Sequence, residues 1–261
     1  MTLTDTAADI AINQACIELR LPTVRVEAPQ AADRATKERA SHRVFLAELL
    51  RDEVEDRNAR RVQRRISDAR FPRHKTIGEF DQTANTTVNS TQLAQLATTE
   101  WIERSEPVVL LGDSGTGKTH LLIGAGLIAC EAGLRVRYTT MAALANELAE
   151  ASDERHLAKA VGRYARLDLL CIDELGYVHL DARGAELIFQ VITERDERAS
   201  IAIATNLPFS EWPTMFNDPR LCSAIVDRVT FNGHIIETGT NSYRLRATQQ
   251  RKQQHKTNHT P

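Results

Sequence analysis

Gly112 and Gly117 bracket four residues and are followed at once by Lys118 and Thr119, so that GDSGTGKT fits the spacing G-x-x-x-x-G-K-[ST]. Residues of these types at this spacing are suited to holding phosphates. The backbone N–H groups of Gly112, Asp113, Ser114, Gly115, Thr116 and Gly117 can curl around phosphate oxygens, and a following helix start adds the positive end of its dipole. Lys118 can neutralise β- and γ-phosphate charge, while the Thr119 hydroxyl can ligate a magnesium ion. A glycine-rich turn that binds nothing would have a similar composition. Placement separates the two readings: the apolar run PVVLL stands directly before the loop and a helical segment, THLLIGAGLIACEAG, directly after it. His120 reads as a helix-start residue packed beside the loop, among the nucleotide contacts, and not as a base.

A magnesium ion on such a loop is held partly by an aspartate at the end of a neighbouring strand. LLCIDELGY, residues 169–177, offers Asp173 for that task, and Glu174 next to it is placed to orient and polarise an attacking water. The same two acids could be only the solvated end of a strand, and it is the phosphate loop upstream that favours two separate jobs. IAIATN ends in Thr205 and Asn206, at the strand end where α/β sheets bind ligands. Asn206 could bond the γ-phosphate or the water, or merely begin the turn into LPFSEWP. Arg228 in SAIVDRV and Arg244 and Arg246 in SYRLR could stabilise developing phosphate charge in cis or from a neighbouring subunit, although each also reads as a surface arginine.

These residues need a scaffold, and from about residue 107 short apolar runs alternate with longer amphipathic segments. PVVLLG, RVRYTT, LDLLCIDE, IAIATN and HIIETG are strand candidates with helical segments between them, the signature of βα units around a parallel sheet. The expected fold class is α/β: a five-stranded parallel sheet flanked by helices over residues 107–246. Gly133 is placed to end the first of these helices, and Asp218 followed by Pro219 is a good N-cap with proline at the first helical position. Residues 1–75 lack the alternation and are rich in Ala, Glu and Arg; Leu46, Leu50, Val54, Val62 and Ile66 recur at multiples of four, so a small all-α N-terminal region is expected there. Pro72 should close its last helix, residues 76–106 read as a linker and a further helix, and the polar tail 247–261 reads as disordered.

The formal charge of −2 excludes a globally basic nucleic-acid binder, so any attraction to nucleic acid must come from local clustering. One cluster stands out: Arg57, Arg60, Arg61, Arg64, Arg65, Arg70, Arg73 and Lys75 share residues 57–75 with a single acid, Asp68. Such a block can neutralise DNA phosphates without reading bases. The acids of DEVED just before it could instead pair with it across one or two helical turns. Four scattered cysteines without C-x-x-C spacing indicate neither a disulfide framework nor a zinc site. With no apolar run near the ~20 residues that cross a bilayer and no basic leader, a cytoplasmic location without membrane contact is expected.

GDSGTGKTHL, LLCIDELGYVHL, ATNLPFSEW, DPRLCSAIVDRV and NSYRLR, in this order, resemble the IstB-like ATP-binding proteins, helper ATPases of insertion-sequence transposition within the AAA+ class and related to DnaC helicase loaders. ELRLPTVR and ARFPRHKTIGEFD extend the resemblance towards the N-terminus. It implies an AAA+ ATPase that uses ATP and Mg²⁺, forms a homo-oligomer on duplex DNA with little sequence preference, and recruits or activates an IstA-type transposase. Lys118 and Thr119 would be the Walker A pair, Asp173 and Glu174 the Walker B pair, and Asn206 the sensor. Arg228 would be the finger acting on a neighbour's ATP and Arg244 a second sensor. Asp113 and Ser114 stand where the family often has proline and a small residue, at tolerant positions of the loop. A DnaC-like helicase loader is the alternative. A small-molecule kinase fits less well, since the Asp–Glu pair, the strand ending in asparagine and the basic N-terminal region are not what such an enzyme requires.

Overall fold

The computed structural model describes residues 4–177, 179–216, 218–240 and 242–243, and the chain separates into two compact units, 1–64 and 65–261. The first unit is helical, with α1 (Asp5–Glu18), α2 (Pro22–Glu38) and the N-terminal part of α3 (His42–Ala69). Its core is small: Cys16, Val24, Ala28, Ala31 and Leu49, joined by Leu21 and Phe45. The apolar repeat in α3 marks a helix but not its inward face. Leu46, Leu50 and Val54 are 53%, 44% and 56% exposed, whereas Leu49 and Glu53 are buried. Glu53 is turned inward because α2 begins without a capping side chain of its own; its Oε2 accepts from Thr23 N at 2.8 Å and Val24 N at 3.2 Å. A carboxylate there satisfies two orphan N–H groups and complements the helix dipole.

In the second unit all five strands are parallel: β1 (Val108–Leu111), β2 (Val136–Thr140), β3 (Leu169–Leu175), β4 (Ser200–Thr205) and β5 (His234–Glu237). Their order across the sheet is β2-β3-β4-β1-β5. The helices are α4 (Ser90–Leu96), α5 (Glu100–Glu103), α6 (Lys118–Glu131), α7 (Met141–Asp153), α8 (Leu157–Ala165), α9 (Ala182–Arg195), α10 (Trp212–Phe216) and α11 (Pro219–Thr230). β1, β3 and β4 read as nearly unbroken apolar runs because both faces of the sheet are covered, whereas the edge strands β2 and β5 carry polar residues. Val109, Leu170, Ile172 and Ile203 join one core with α7, α8, α9 and α11, while Val108, Leu110, Cys171 and Ala204 join the other with α6. Gly133 follows the end of α6 with φ +95°, and Asp218 caps α11 by accepting from Arg220 N and Leu221 N.

The stretch read as a linker is a built part of this unit. Ile77 and Phe80 pack against the α6 core, as does Phe71 just before the stretch; a short 3-10 turn over Ile77–Glu79 carries a capping box from Thr76 and Glu79, and Asn85 is buried. Its polar composition looked like a spacer; its few apolar residues are what seat it.

Candidate nucleotide site

The loop from Gly112 to Gly117 joins β1 to α6 and is braced from three sides. Gly112 N donates to Thr205 O at the end of β4 (3.2 Å), and Asp113 N donates to Gly239 O just past β5 (3.0 Å). Thr116 Oγ1 lies 2.6 Å from Thr238 Oγ1. From the 76–89 stretch, Asn85 Nδ2 donates to Thr116 O at 2.8 Å and Thr238 O at 2.9 Å. The curl is therefore preformed. Lys118 Nζ points into it, donating to Gly112 O at 2.6 Å and Asp113 O at 2.8 Å. An anionic phosphate oxygen offers this ammonium a charge-assisted partner that neutral carbonyls cannot match.

Beside the loop lies a cavity of ≈ 300 Å³ lined by Gly115 to His120, by Phe80 and Asn85, and by Tyr243. Gly117 has φ +104°, and a Cβ there would stand 2.6 Å from Phe80 Cε2, so only glycine permits both the turn and this wall. His120 Nε2 is 2.7 Å from Thr76 O, and its ring meets Phe80 edge-on with centroids 5.7 Å apart. Tyr243 N donates to Gly115 O at 3.0 Å, which brings the segment after β5 across the loop. Sequence reasoning missed Phe80, Asn85, Thr238 and Tyr243. Only GEF and NSY within the family-like segments could have pointed to two of them.

Asp173 and Glu174 lie in an irregularity of β3, where the pairing with β4 shifts register between Ile172 and Leu175. Such a bulge re-aims side chains at a strand end. Asp173 is buried; its Oδ2 accepts from the Tyr138 hydroxyl at 2.7 Å and its Oδ1 from Glu174 N at 2.8 Å. Glu174 is exposed and adopts φ +59°, a left-handed conformation that costs a non-glycine residue about 1–2 kcal/mol. Asn206 follows β4, the strand between β1 and β3, so it sits between the phosphate loop and the two acids. Its Oδ1 is buried without a hydrogen-bond partner among the described residues and lies 2.6 Å from where a Cβ of Gly176 would be. Thr119 and Asp173 supply two oxygen donors; since Mg²⁺ takes few protein ligands and the rest from phosphates and water, this sparse set fits it. Among the described residues no cluster of three or more His, Cys, Asp or Glu forms a metal cage.

Arg228 does not join this site. Near the end of α11, it borders a cavity with Pro107 and Ala199, which precede β1 and β4, at the opposite end of the parallel sheet from the phosphate loop. Its Nε is 3.3 Å from Asp196 Oδ2, an ion pair without the alignment of a hydrogen bond, and its guanidinium lies over the Phe189 ring at 5.1 Å. Arg244 and the tail 247–261 lie outside the described residues.

The eight basic residues of the 57–75 block divide among four environments. Arg57 and Arg60 pair with buried Glu53 at 3.1 and 3.4 Å, so DEVED supplies their partners. Arg61 and Arg64 are exposed on α3. Arg65 and Arg70 line a second cavity beside β2, and Arg73 and Lys75 line the cavity at the phosphate loop.

A phosphate loop after β1, acids at the end of β3, a polar residue at the end of β4 and the order β2-β3-β4-β1-β5 define the AAA+ class of P-loop proteins. The fold is similar to AMPPCP-bound DnaA from Aquifex aeolicus (TM-score 0.53, 22% identity, 71% of this chain and 56% of that one). It is also similar to DnaI (TM-score 0.53, 14% identity, 63% of this chain and 90% of that one). Within that class the chain belongs to the IstB-like ATP binding protein family, whose profile matches residues 14–251. It is 35% identical over 235 residues to the ATP-binding protein named for insertion sequence IS5376 of Geobacillus stearothermophilus, covering 90% of this chain and 94% of that protein. It is likewise 35% identical over 214 residues to the one named for IS21 of Pseudomonas aeruginosa, covering 82% and 81%. No helix among the described residues is long and apolar enough to cross a membrane.

Proposed function

We propose that this protein hydrolyses ATP and couples the cycle to assembly on duplex DNA, where it recruits or activates an IstA-type transposase. The observation that carries the reading is the convergence of Lys118, Asp173, Glu174 and Asn206 on the crevice at the ends of β1, β4 and β3. Lys118 exchanges its two carbonyl partners for β- and γ-phosphate oxygens. Thr119 and Asp173 would hold a magnesium ion, which when bound neutralises charge on those phosphates. Glu174, projecting from the bulge, accepts a proton from water as the water oxygen attacks the γ-phosphorus; the bond to the ADP oxygen breaks and inorganic phosphate leaves. Asn206 offers its unpartnered Oδ1 to a proton of the same water. Phe80 and Tyr243 give the cavity the aromatic walls that suit a nucleobase.

Arg228 is proposed as the finger for a neighbouring copy, because it stands at the end of the sheet away from its own phosphate loop. Arg61 and Arg64 are free of the ion pairs that hold Arg57 and Arg60, and are proposed as DNA contacts with Arg65 and Arg70. The insertion-sequence names of the relatives favour a transposase partner over a helicase.

The test is ATP turnover with and without random-sequence duplex. Hydrolysis in the wild type and its loss, together with ATP binding, in Lys118→Ala is the expected result; retained tight ATP binding in that variant overturns the site. Mixing Arg228→Ala with Lys118→Ala subunits should restore some turnover, and none in a co-assembled mixture removes Arg228 as the finger.

A further inference from the structure

At the end of the sheet opposite the phosphate loop, a cavity of ≈ 460 Å³ opens between the last turn of α3, the start of β2 and helices α7 and α8. All its lining residues belong to the second unit. Five are arginines: Arg65, Arg70, Arg135, Arg137 and Arg163. Two of these are already neutralised. Arg135 forms a two-pronged pair with Asp168 (2.9 and 3.2 Å), and Arg163 pairs with Glu147, which also accepts from the Tyr164 hydroxyl at 2.8 Å. The other three have no carboxylate partner among the described residues; Arg137 Nη1 donates only weakly, to Asp68 O at 3.4 Å. The one further acid on the lining is Asp68, so the cavity keeps an excess of positive charge.

A chain that needed only a solvated surface would not gather these side chains around one concavity, where they repel one another and Arg137 is half-buried. A guanidinium is a planar fork suited to phosphate oxygens, and three of them around a concave edge fit successive phosphates. β2 is the edge strand of the sheet, so a linear polyanion can pass along it. Arg135 and Leu167 also line the adjoining hollow across the starts of β3 and β4, where Arg166 stands with Glu103, Asp168 and Arg198, the last paired to Glu194.

We infer that this arginine-lined cavity is a phosphodiester-binding site, engaging the nucleic-acid backbone through Arg65, Arg70 and Arg137 at the end of the sheet away from the nucleotide. The inference rests on the reading that the protein acts on DNA, and locates a contact that the 57–75 block alone does not contain.

The experiment measures binding of a labelled random-sequence duplex to the full chain with a non-hydrolysable ATP analogue, as a function of salt. Arg65→Ala/Arg137→Ala should weaken binding at least ~10-fold and lower the slope of log K against log salt by about 2, since each lost phosphate contact removes about 0.9. The charge-matched control Arg51→Ala/Arg104→Ala, which removes two exposed arginines each paired with an acid four residues away in sequence, should change neither. An unchanged slope in Arg65→Ala/Arg137→Ala overturns the inference while leaving DNA binding itself intact; a wild type that binds no duplex overturns both. A small phosphoanion as the true occupant shows differently. Tripolyphosphate would then raise the melting temperature of Lys118→Ala in a manner abolished by the two arginine changes, with the DNA slope unaltered, and that overturns the backbone assignment. Should the double variant fail to fold, arginine labelling of the wild type by phenylglyoxal reads the same contact. Duplex DNA should protect Arg65 and Arg137, and equal labelling with and without DNA overturns the inference.

Discussion

The hydroxyl of Tyr138 donates to Asp173 Oδ2 at 2.7 Å, bridging the edge strand β2 to the acid at the end of β3. Burial and the adjacent Asp173 both push the tyrosine hydroxyl well above its ordinary range, so it stays a donor at any working pH. The bond fixes one carboxylate oxygen and, on the proposed reading, leaves its remaining lone pair for a magnesium ion. Tyr138→Phe keeps the ring packed near Phe71, whose centroid is 6.1 Å away, but removes the donor. We expect a higher half-saturating Mg²⁺ concentration for hydrolysis and a stability loss of about 1–3 kcal/mol, the cost of a buried group left short of a partner. An unchanged Mg²⁺ titration would limit the bond to a packing role.

Glu174 holds a left-handed conformation that a glycine would adopt without strain. Glu174→Gln should retain ATP binding and slow turnover by ~10² or more, as for loss of a positioned base. Glu174→Gly should be equally inactive yet no less stable, because relief of about 1–2 kcal/mol of strain offsets the 0.5–1 kcal/mol that glycine loses through chain entropy. Chemical denaturation of the two variants side by side measures the difference; a glycine variant clearly less stable than the glutamine one contradicts the strain.

Gly176 has φ +114° and leaves room for Asn206 Oδ1 and Leu207. Gly176→Ala should displace Asn206 and reduce turnover at least ~10-fold with ATP affinity nearly intact, because the phosphate loop is not touched. Parallel loss of ATP affinity would show that the bulge supports the loop as well.

Arg57→Ala/Arg60→Ala leaves buried Glu53 with only the α2 N–H groups. The helical unit should lose about 1.5–3 kcal/mol, as for hydrogen bonds to a charged group, while the salt dependence of DNA binding stays unchanged in the folded protein. A flatter salt slope would return these two arginines to the DNA surface.

Asp168 is held below the usual carboxylate range, first by the Arg135 side chain and then by the Arg135 backbone N–H. A carboxylate with a lowered folded pKa contributes stability that is complete above its unfolded value of about 3.9 and is lost as pH falls below it. Asp168→Asn should therefore be less stable than the wild type at neutral pH, with the gap closing towards pH 3. Denaturation midpoints across that range decide it, and a constant gap would exclude the ion pair as the cause.

The sequence by itself determined the class. GDSGTGKT between an apolar run and a helix, LLCIDE downstream and five alternating runs sufficed for the sheet and its phosphate loop, because local spacing and period are what these elements obey. Three things needed the tertiary structure. Strand order is a long-range choice, and only β4 lying between β1 and β3 puts Asn206 between the loop and Asp173. The stretch 76–89 looks like a spacer until packing on α6 seats Asn85 under the loop. The basic block read as one surface, but helix geometry and buried partners scatter it: Glu53 draws in Arg57 and Arg60, the core takes Arg65 and Arg70 to the edge of β2, and Arg73 and Lys75 turn to the nucleotide cavity. Charge along a chain is local information, whereas which charge meets which is decided by residues far apart in sequence.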